Sequence, residues 1–545
     1  MPLCAWPSPW RTIGLPDRWP DLRPLDLAII AAYLLGLAGI GLYFSRRQKT
    51  TESYFIANHS IPGWAMGLSL LATIITSITF IAYPGAAYAG DWSLLVPGFM
   101  FVALLAVAGF IFIPFFRNVV HMSAYEYFGQ RFGKSVRVYA SFTFAVGHLS
   151  KMAFVFYLLG LTLSGMTGWP LGRVVAITAA VTIFYTLFGG IEAVVWSDVI
   201  QGFILWAGIL VSIGFLLFLP TQGPHAVLAD AWHAGKMSLG STALRFDKPT
   251  LLVLCIYGLF FYIQKYTADQ TVVQRYLLAP TDRAALRGVA LGASLCIPVW
   301  TAFMLIGSLL WSFYRLTGEK LPATITKVDQ IFPYFLNTHI PSGLSGLFVA
   351  ALMGSAMAML ASDMNCLGVI GTQDFYQLAR PKSTDKERLR VGRIVVVAGG
   401  LAASGFAMLL AHAGGSALSV YYTVNAIAAG GLAGLFLLAF LMRRATPAGA
   451  IAGVAANIAF TLWATLSHGS SHAFRFRWHE YMIGAVGHVI LVAVGVAVSL
   501  LSPSSGVRCA DLTLWGWLSR RRSTPPAASS THLNTDKIPH HLETL

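Results

Sequence analysis

Charged side chains interrupt several long apolar stretches of this sequence. Asp198, Lys265, Asp269 and Asp363 each lie within or at the end of a run of apolar residues. Ionisable groups are costly to bury in such surroundings, and those that persist usually bind a cation, a proton or a counter-charge. The three carboxylates therefore indicate cation or proton binding, and the lysine indicates an anionic partner.

Each of these positions also has a structural interpretation. Asp198, Asp269 and Lys265 would cap a helix or extend to the inner membrane surface if they lay near a span end. Asp363 lies deeper in its apolar stretch, so a functional role is favoured for it.

Hydroxyl groups and a second basic pair accompany these charges. One apolar segment carries a run of hydroxyl residues that either line a site or bond to carbonyls of their own helix, namely Thr73, Thr76, Ser77 and Thr79. His148 and Lys151 lie in another segment, and we favour pairing with a neighbouring helix over ligand binding for both.

Composition shows which elements must position these residues. The chain has 545 residues, 56% hydrophobic and 11% charged, whereas soluble domains carry about 25% charged residues. The sequence therefore predicts an all-α polytopic membrane protein. Five scattered cysteines indicate neither a disulfide framework nor a zinc site, and the absence of HExxH, GxSxG and P-loop motifs argues against an enzyme.

A helix needs roughly 20 apolar residues to cross a bilayer core of about 30 Å. Thirteen segments meet this criterion, at residues 26–45, 64–88, 95–116, 138–165, 172–189, 196–220, 250–270, 288–314, 343–370, 394–413, 417–442, 447–467 and 480–502.

The distribution of basic residues predicts the orientation. The net charge is +15, which in a soluble chain would suggest an acidic partner such as nucleic acid. With the N-terminus outside, 23 of the 37 basic residues lie on the inner side, as the positive-inside rule requires. We expect a multi-pass protein of the cell inner (plasma) membrane with a cytoplasmic C-terminus and with no nucleic acid partner.

The second and seventh spans each carry polar residues near mid-helix, and each starts a group of five spans. If the two groups are inverted repeats, broken helices at their starts would form a binding site near the bilayer midplane. The predicted segments are an outer N-terminal segment (1–25), the first span with an inner loop (26–63), the first repeat (64–220), an outer loop (221–249), the second repeat (250–442), two further spans (443–502) and a disordered basic inner tail (503–545).

Several motifs in this layout resemble the sodium:solute symporter family, which includes sodium/glucose, proline, pantothenate and sialic acid symporters. The matching segments are GGIEAVVWSDVIQ at 189–201, DQTVVQRYL at 269–277 and NCLGVIGTQDFY at 365–376, together with the stretch from Ser69 to Tyr88. The resemblance implies the five-plus-five inverted-repeat fold shared with the leucine transporter, here formed by the second to eleventh of the about 13 transmembrane helices. It also implies cation-driven uptake by alternating access.

The resemblance also implies ion sites. The carbonyl ligands of the family's main sodium site fall on Ala72, Ile75 and Ser355, but its two hydroxyl positions fall on Ala358 and Met359. A methyl group and a thioether offer sodium no comparable oxygen ligand.

A second sodium site of some family members is matched in part, by Asp198 and Ser362. We therefore expect the coupling ion to bind lower, between Asp363, Asp198, Ser362 and Thr76. Alternatively, a proton on Asp363 replaces sodium.

The substrate positions of the sugar-transporting members fall on Gly98, Tyr262 and Cys296, and the inner-gate aromatic pair becomes Lys265-Tyr266. Tyr262 and Tyr266 would stack on a flat face of the solute. Lys265 would either favour an anionic solute or pair with an acidic side chain, Asp269 or Asp363.

The predicted substrate-binding residues are Thr79, Tyr262, Lys265, Tyr266 and Asp269. The function expected is symport of a small organic solute such as a sugar, a sugar acid or another organic acid, with Na⁺ as the coupling ion or H⁺ in its place. An uncoupled carrier and a solute sensor are the alternatives. No organic cofactor and no obligate protein partner are indicated.

Overall fold

The protein is helical throughout the described residues. The structure, a computed structural model, describes residues 24–323, 325, 327–412, 431–468, 474–502 and 510–523. Nineteen helical segments in these ranges are numbered here in chain order: α1 Pro24–Ser45, α2 Thr51–Ile56, α3 Gly63–Ile74, α4 Ser77–Ala89, α5 Ser93–Val119, α6 Glu126–Phe132, α7 Lys134–Thr167, α8 Leu171–Phe218, α9 Gly223–His233, α10 Leu251–Ala268, α11 Gln270–Leu278, α12 Asp282–Thr317, α13 Ile331–His339, α14 Leu344–Ala379, α15 Asp385–His412, α16 Leu432–Leu441, α17 Pro447–Ser467, α18 Tyr481–Leu501 and α19 Leu514–Ser523.

Ten of these helices are long and apolar enough to cross a membrane, and α3 with α4 adds a pair bent by 59°. Every predicted span coincides with one of these helices except the eleventh, of which only the part in α16 belongs to the described residues. The predicted membrane-spanning, all-helical class is confirmed, and the total of thirteen spans stays a prediction.

Two predicted spans are joined in α8. This helix has 48 residues and would measure about 72 Å if it were straight, more than twice the hydrocarbon thickness. Gly190 interrupts it with φ 56° and ψ −155°, a backbone conformation that essentially only glycine adopts. The two predicted spans on either side of this residue are therefore the two halves of α8.

The centre of the bundle is α14. All but two of the residues from Leu344 to Ile370 are buried, because α1, α3, α7, α8 and α15 surround this helix. Lipid-facing side chains lie on the outer helices instead, for example Leu35 of α1 and Leu401 of α15.

Close packing against α3 uses glycine. A Cβ on Gly67 would lie 2.5 Å from the carbonyl oxygen of Gly288, and one on Gly292 would lie 2.5 Å from the carbonyl oxygen of Gly67. Small residues at a spacing of four thus let the backbones of α3 and α12 touch.

The predicted disorder of the C-terminal tail is wrong for one segment. Residues 510–523 form a 3₁₀ turn and α19. Trp517 is 8% exposed, and the indole of Trp515 donates to the carbonyl oxygen of Leu441 at 2.8 Å. The apolar area of these two tryptophans holds the short helix against the bundle. The polar and basic composition of the tail, from which disorder was predicted, does not reflect this contribution.

Candidate functional site

A break in the second span exposes backbone carbonyl groups. Helix α3 ends at Ile74, Ile75 has φ −80° and ψ 107°, and Thr76 is also extended. The last carbonyls of a helix have no partner within it. The predicted ligands Ala72 and Ile75 lie at this end of α3.

The side chains near this break differ in their hydrogen bonding. Thr76 is half-buried, and Thr79 and Ser355 are buried. The Ser355 hydroxyl donates to the carbonyl oxygen of Leu352 at 2.9 Å within its own helix. Ser77 is fully buried, and its hydroxyl oxygen has no hydrogen-bond partner among the described residues.

A second break lies in the seventh span, at Asp269. This residue has φ −99° and ψ 111° between α10 and α11, and its carboxylate accepts a hydrogen bond of 2.9 Å from the amide of Thr271. Asp269 therefore caps the N-terminus of α11, as its structural interpretation predicted. Breaks occur in both predicted positions, at the starts of the two groups of five spans.

Five ionisable side chains form a charged network beside this second break. The Lys265 amine lies 2.5 Å from an Asp269 oxygen. The same oxygen is 3.6 Å from Nε2 of His148, whose Nδ1 lies 2.9 Å from Asp363. The Lys151 amine lies 3.1 Å from the other Asp363 oxygen. The charged network (Lys265, Asp269, His148, Asp363 and Lys151) therefore joins α7, α10 and α14, and each of its carboxylates lies between two basic side chains.

The two lysines border accessible space. Their side chains are 20% and 21% exposed, whereas those of Asp269 and Asp363 are 4% and 0% exposed. An ammonium group in contact with lipid tails would be strongly unfavourable. The exposed sides of Lys151 and Lys265 are therefore best accommodated in a wet space within the bundle.

Arg275 forms a separate arginine cluster with Asp198, Ser69, Thr73 and Ser362. Its guanidinium donates to the hydroxyls of Ser362 at 2.6 Å and Thr73 at 2.8 Å, and it lies 3.4 Å from Asp198. Ser69 donates to the same Asp198 oxygen at 2.6 Å. Both charged residues are fully buried, so Asp198 does not extend to the membrane surface.

The arginine cluster has a consequence for the predicted second sodium site. Asp198 and Ser362 do come together, but a guanidinium lies between them. The other oxygen of Asp198 is buried without a partner among the described residues. Asp363 belongs to the charged network instead, so the predicted four-residue ion site is divided between two clusters. That ion site stays a prediction.

The predicted aromatic substrate residues lie in a ring stack. Phe101 contacts Tyr266 at 4.9 Å and Tyr262 at 4.8 Å between ring centroids. The Tyr266 hydroxyl donates to the carbonyl oxygen of Phe101 at 2.9 Å. Tyr266 is fully buried and Tyr262 is 6% exposed, so a solute reaches these rings only after the stack rearranges.

Arg275 was missed as a site residue, because its position after the seventh span assigned it to an inner loop. Gln270, Gln274 and Arg275 are all fully buried in α11. Gln270 bonds to the backbone of Met122 and Ala124, at 2.7 Å each. The sequence signal for their burial was the close spacing of these polar residues on one short helix. Buried polar residues must find hydrogen-bond partners, so such a group indicates a polar cluster.

The chain is similar to known transporters over most of its length. A sequence model of the sodium:solute symporter family matches residues 54–456. The sodium/sialic acid symporter NanT of Aliivibrio fischeri is 32% identical over 475 residues, which cover 86% of this chain and 92% of that protein. The sodium/sialic acid symporter SiaT of Proteus mirabilis is 30% identical, covering 90% of this chain and 98% of that protein.

Solved structures agree with the sequence matches. A substrate-bound, outward-open Na⁺-coupled sialic acid symporter superposes with a TM-score of 0.83 at 30% identity, covering 89% of this chain and all of that one. A nucleobase-cation-symport family transporter in a closed conformation gives a TM-score of 0.53 at 14% identity, covering 84% and 97%, and shows the fold alone. The predicted five-plus-five inverted-repeat core is confirmed. With this fold and a family match over more than half of its length, the chain belongs to the sodium:solute symporter family.

Proposed function

We propose that this protein is a sodium-coupled symporter that imports a small organic acid of the sialic acid class by alternating access. One observation carries the proposal: the two helix breaks are linked through adjacent residues of α14. Thr73, next to the first break, lies 3.1 Å from Ser362, and Asp363 joins the network of the second break. The two relatives that are named sodium/sialic acid symporters align with nearly the whole chain.

The cation binds at the first break. Carbonyl oxygens of Ala72, Ile75 and Ser355 provide hard ligands, and the hydroxyl of Ser77 supplies an oxygen that Ala358 and Met359 lack. An unpaired buried hydroxyl is costly, and binding a cation would offset that cost. The second candidate position is the unpaired oxygen of Asp198, where the guanidinium of Arg275 opposes a further positive charge.

The solute carboxylate binds beside the charged network. Lys151 and Lys265 are its partly exposed members, and each already has a carboxylate partner. A substrate anion would exchange with one of these partners rather than meet an unpaired charge. Thr79, Tyr262 and Tyr266 complete the proposed substrate site once the ring stack opens.

Proton coupling is the alternative that the charged network favours. His148 lies 2.9 Å from an Asp363 oxygen and 3.6 Å from an Asp269 oxygen, so a proton can pass directly between His148 and Asp363. In that case Asp363 carries the coupling proton, and transport does not need the sodium-ligand hydroxyls that Ala358 and Met359 lack.

Uptake into proteoliposomes tests both versions. N-acetylneuraminate is offered under an inward sodium gradient, an inward proton gradient, or neither, with glucose as a neutral solute for comparison. Accumulation with sodium alone supports the proposal, and accumulation with protons alone supports the alternative. Gradient-independent flux, or binding without accumulation, contradicts both and indicates an uncoupled carrier or a sensor.

A further inference from the structure

A groove lies beside α15, away from both helix breaks. It has a volume of about 1020 Å³ and is lined by α15, the chain after α1 and Leu187 of α8. None of its lining residues belongs to the charged network or to the arginine cluster.

One end of the groove is basic. Lys49, Lys386, Arg390 and Arg393 line it, together with a single carboxylate, that of Asp385. Asp385 already accepts hydrogen bonds from the amide and the hydroxyl of Thr51. Within the described part of the chain, none of the four basic residues forms an ion pair, so this end carries an excess of positive charge that is not neutralised.

The other end of the groove is apolar and lipid-facing. Ile394, Val397, Ala398 and Leu401 line it, and Ile394 and Leu401 are each 59% exposed. These residues follow Lys386 and Arg390 along the same face of α15, at the spacing of three to four that defines one side of a helix. The tenth predicted span begins at residue 394, where the basic lining ends.

The length of this face matches a lipid molecule. Leu401 lies fifteen positions after Lys386, which corresponds to about 22 Å along a helix. Half of a bilayer core is about 15 Å thick. The basic end therefore lies at the level of the headgroups when the apolar end lies beside the acyl chains.

We infer that this groove binds one anionic phospholipid of the inner leaflet, with its phosphate between Lys386, Arg390 and Arg393 and an acyl chain along Ile394 to Leu401. Charge complementarity selects an anionic headgroup, since each lysine or arginine near such a surface strengthens binding about fivefold. The apolar end selects a lipid rather than a free phosphate.

The groove also contacts the break in α8. Gln48 lines the groove and donates to Glu192 at 2.8 Å, and its side-chain oxygen would lie 3.1 Å from a Cβ on Gly190. A bound lipid would thus contact the segment that packs against this break.

The test measures binding of dioleoylphosphatidylglycerol and dioleoylphosphatidylcholine to the purified full chain by native mass spectrometry. The wild type should bind phosphatidylglycerol more tightly than phosphatidylcholine. The double variant Lys386→Gln/Arg390→Gln should bind it roughly thirtyfold more weakly with binding of phosphatidylcholine unchanged. Arg443→Gln/Arg444→Gln removes the same charge outside the groove and should behave as the wild type.

Two further measurements separate the contribution of the lipid phosphate from that of the acyl chain. Inorganic phosphate should leave the melting temperature unchanged, whereas phosphatidylglycerol should raise it. Ala398→Trp fills the apolar end at an exposed position and should weaken lipid binding without loss of folding. Equal binding of the two lipids, unchanged selectivity in the double variant, or an equal shift with phosphate would each overturn the inference.

Discussion

The buried charges of this protein are balanced locally. Asp363 is fully buried and lies within 3.1 Å of both His148 and Lys151. Breaking a buried pair by removing one partner is strongly destabilising, because the other charge remains without compensation. The charged network therefore contributes to folding whether or not it also carries a proton.

Asp363→Asn should lower the free energy of unfolding by about 3 kcal/mol, since it leaves Lys151 unpaired. The double variant Asp363→Asn/Lys151→Gln should recover a large part of this loss. Thermal unfolding in detergent measures both. A double variant less stable than the single one would contradict the pairing, and loss of proton-driven uptake in a stable double variant would indicate a transport role.

Ser77→Ala should weaken sodium binding roughly tenfold, because a hydrogen-bond-like contact to a charged group contributes about 1.5 kcal/mol. The sodium dependence of uptake measures the effect. Ser355→Ala is the matched control, since its hydroxyl bonds to Leu352 and its proposed ligand is the carbonyl oxygen. Equal effects of the two substitutions would exclude the Ser77 hydroxyl as a ligand.

Lys265→Ala distinguishes substrate binding from pairing with Asp269. If the lysine only pairs, the variant keeps its affinity for an acidic solute and loses stability. If it binds the solute, we expect roughly a tenfold rise in the KM for an acidic solute, since such contacts contribute about 1.5 kcal/mol. Initial uptake rates and melting temperatures, compared with those of the control Lys248→Ala in the loop before α10, decide between the two roles.

At the scale of elements, three interruptions of helical geometry organise the site. Two lie at Ile75, where α3 ends, and at Asp269, whose carboxylate caps α11. The third lies at Gly190 and turns α8 into two spans. The long apolar runs predicted the helices, whereas each exact break depends on local capping and packing.

Gly190→Ala should lower the stability by about 1–3 kcal/mol, because its backbone conformation is strained for any residue with a Cβ. The new methyl would also lie 2.8 Å from the carbonyl oxygen of Tyr54. Gly202→Ala, in the same helix with open space around it, should be neutral or stabilising. Melting temperatures of the two variants provide the comparison, and equal values would refute the strain argument.

At the scale of the whole molecule, the basic residues predict an orientation. Lys382 lies in the densest basic segment, and Leu244 lies in the loop before α10 and is 83% exposed. In a cysteine-free chain, Leu244→Cys should react with an impermeant maleimide on intact cells, and Lys382→Cys should react only after permeabilisation. The reverse pattern would invert the predicted topology.

The sequence alone determined the class of protein, the helical spans within the described residues and the family. These properties follow from the length of apolar runs, the distribution of charges and the spacing of motifs. Each of these features is read directly along the chain and does not depend on contacts between distant residues. The sequence also indicates which charged residues are buried, since a charge inside an apolar run is recognisable without the fold.

Only the tertiary structure decided which polar residues meet. Asp198 and Asp363 were expected in one ion site, yet Arg275 holds the first and Lys151 with His148 holds the second. Their partners come from positions 77 and more than 200 residues away, and no local pattern encodes such a distance. Burial forces each charge to find a partner, but the packing of the helices selects which one.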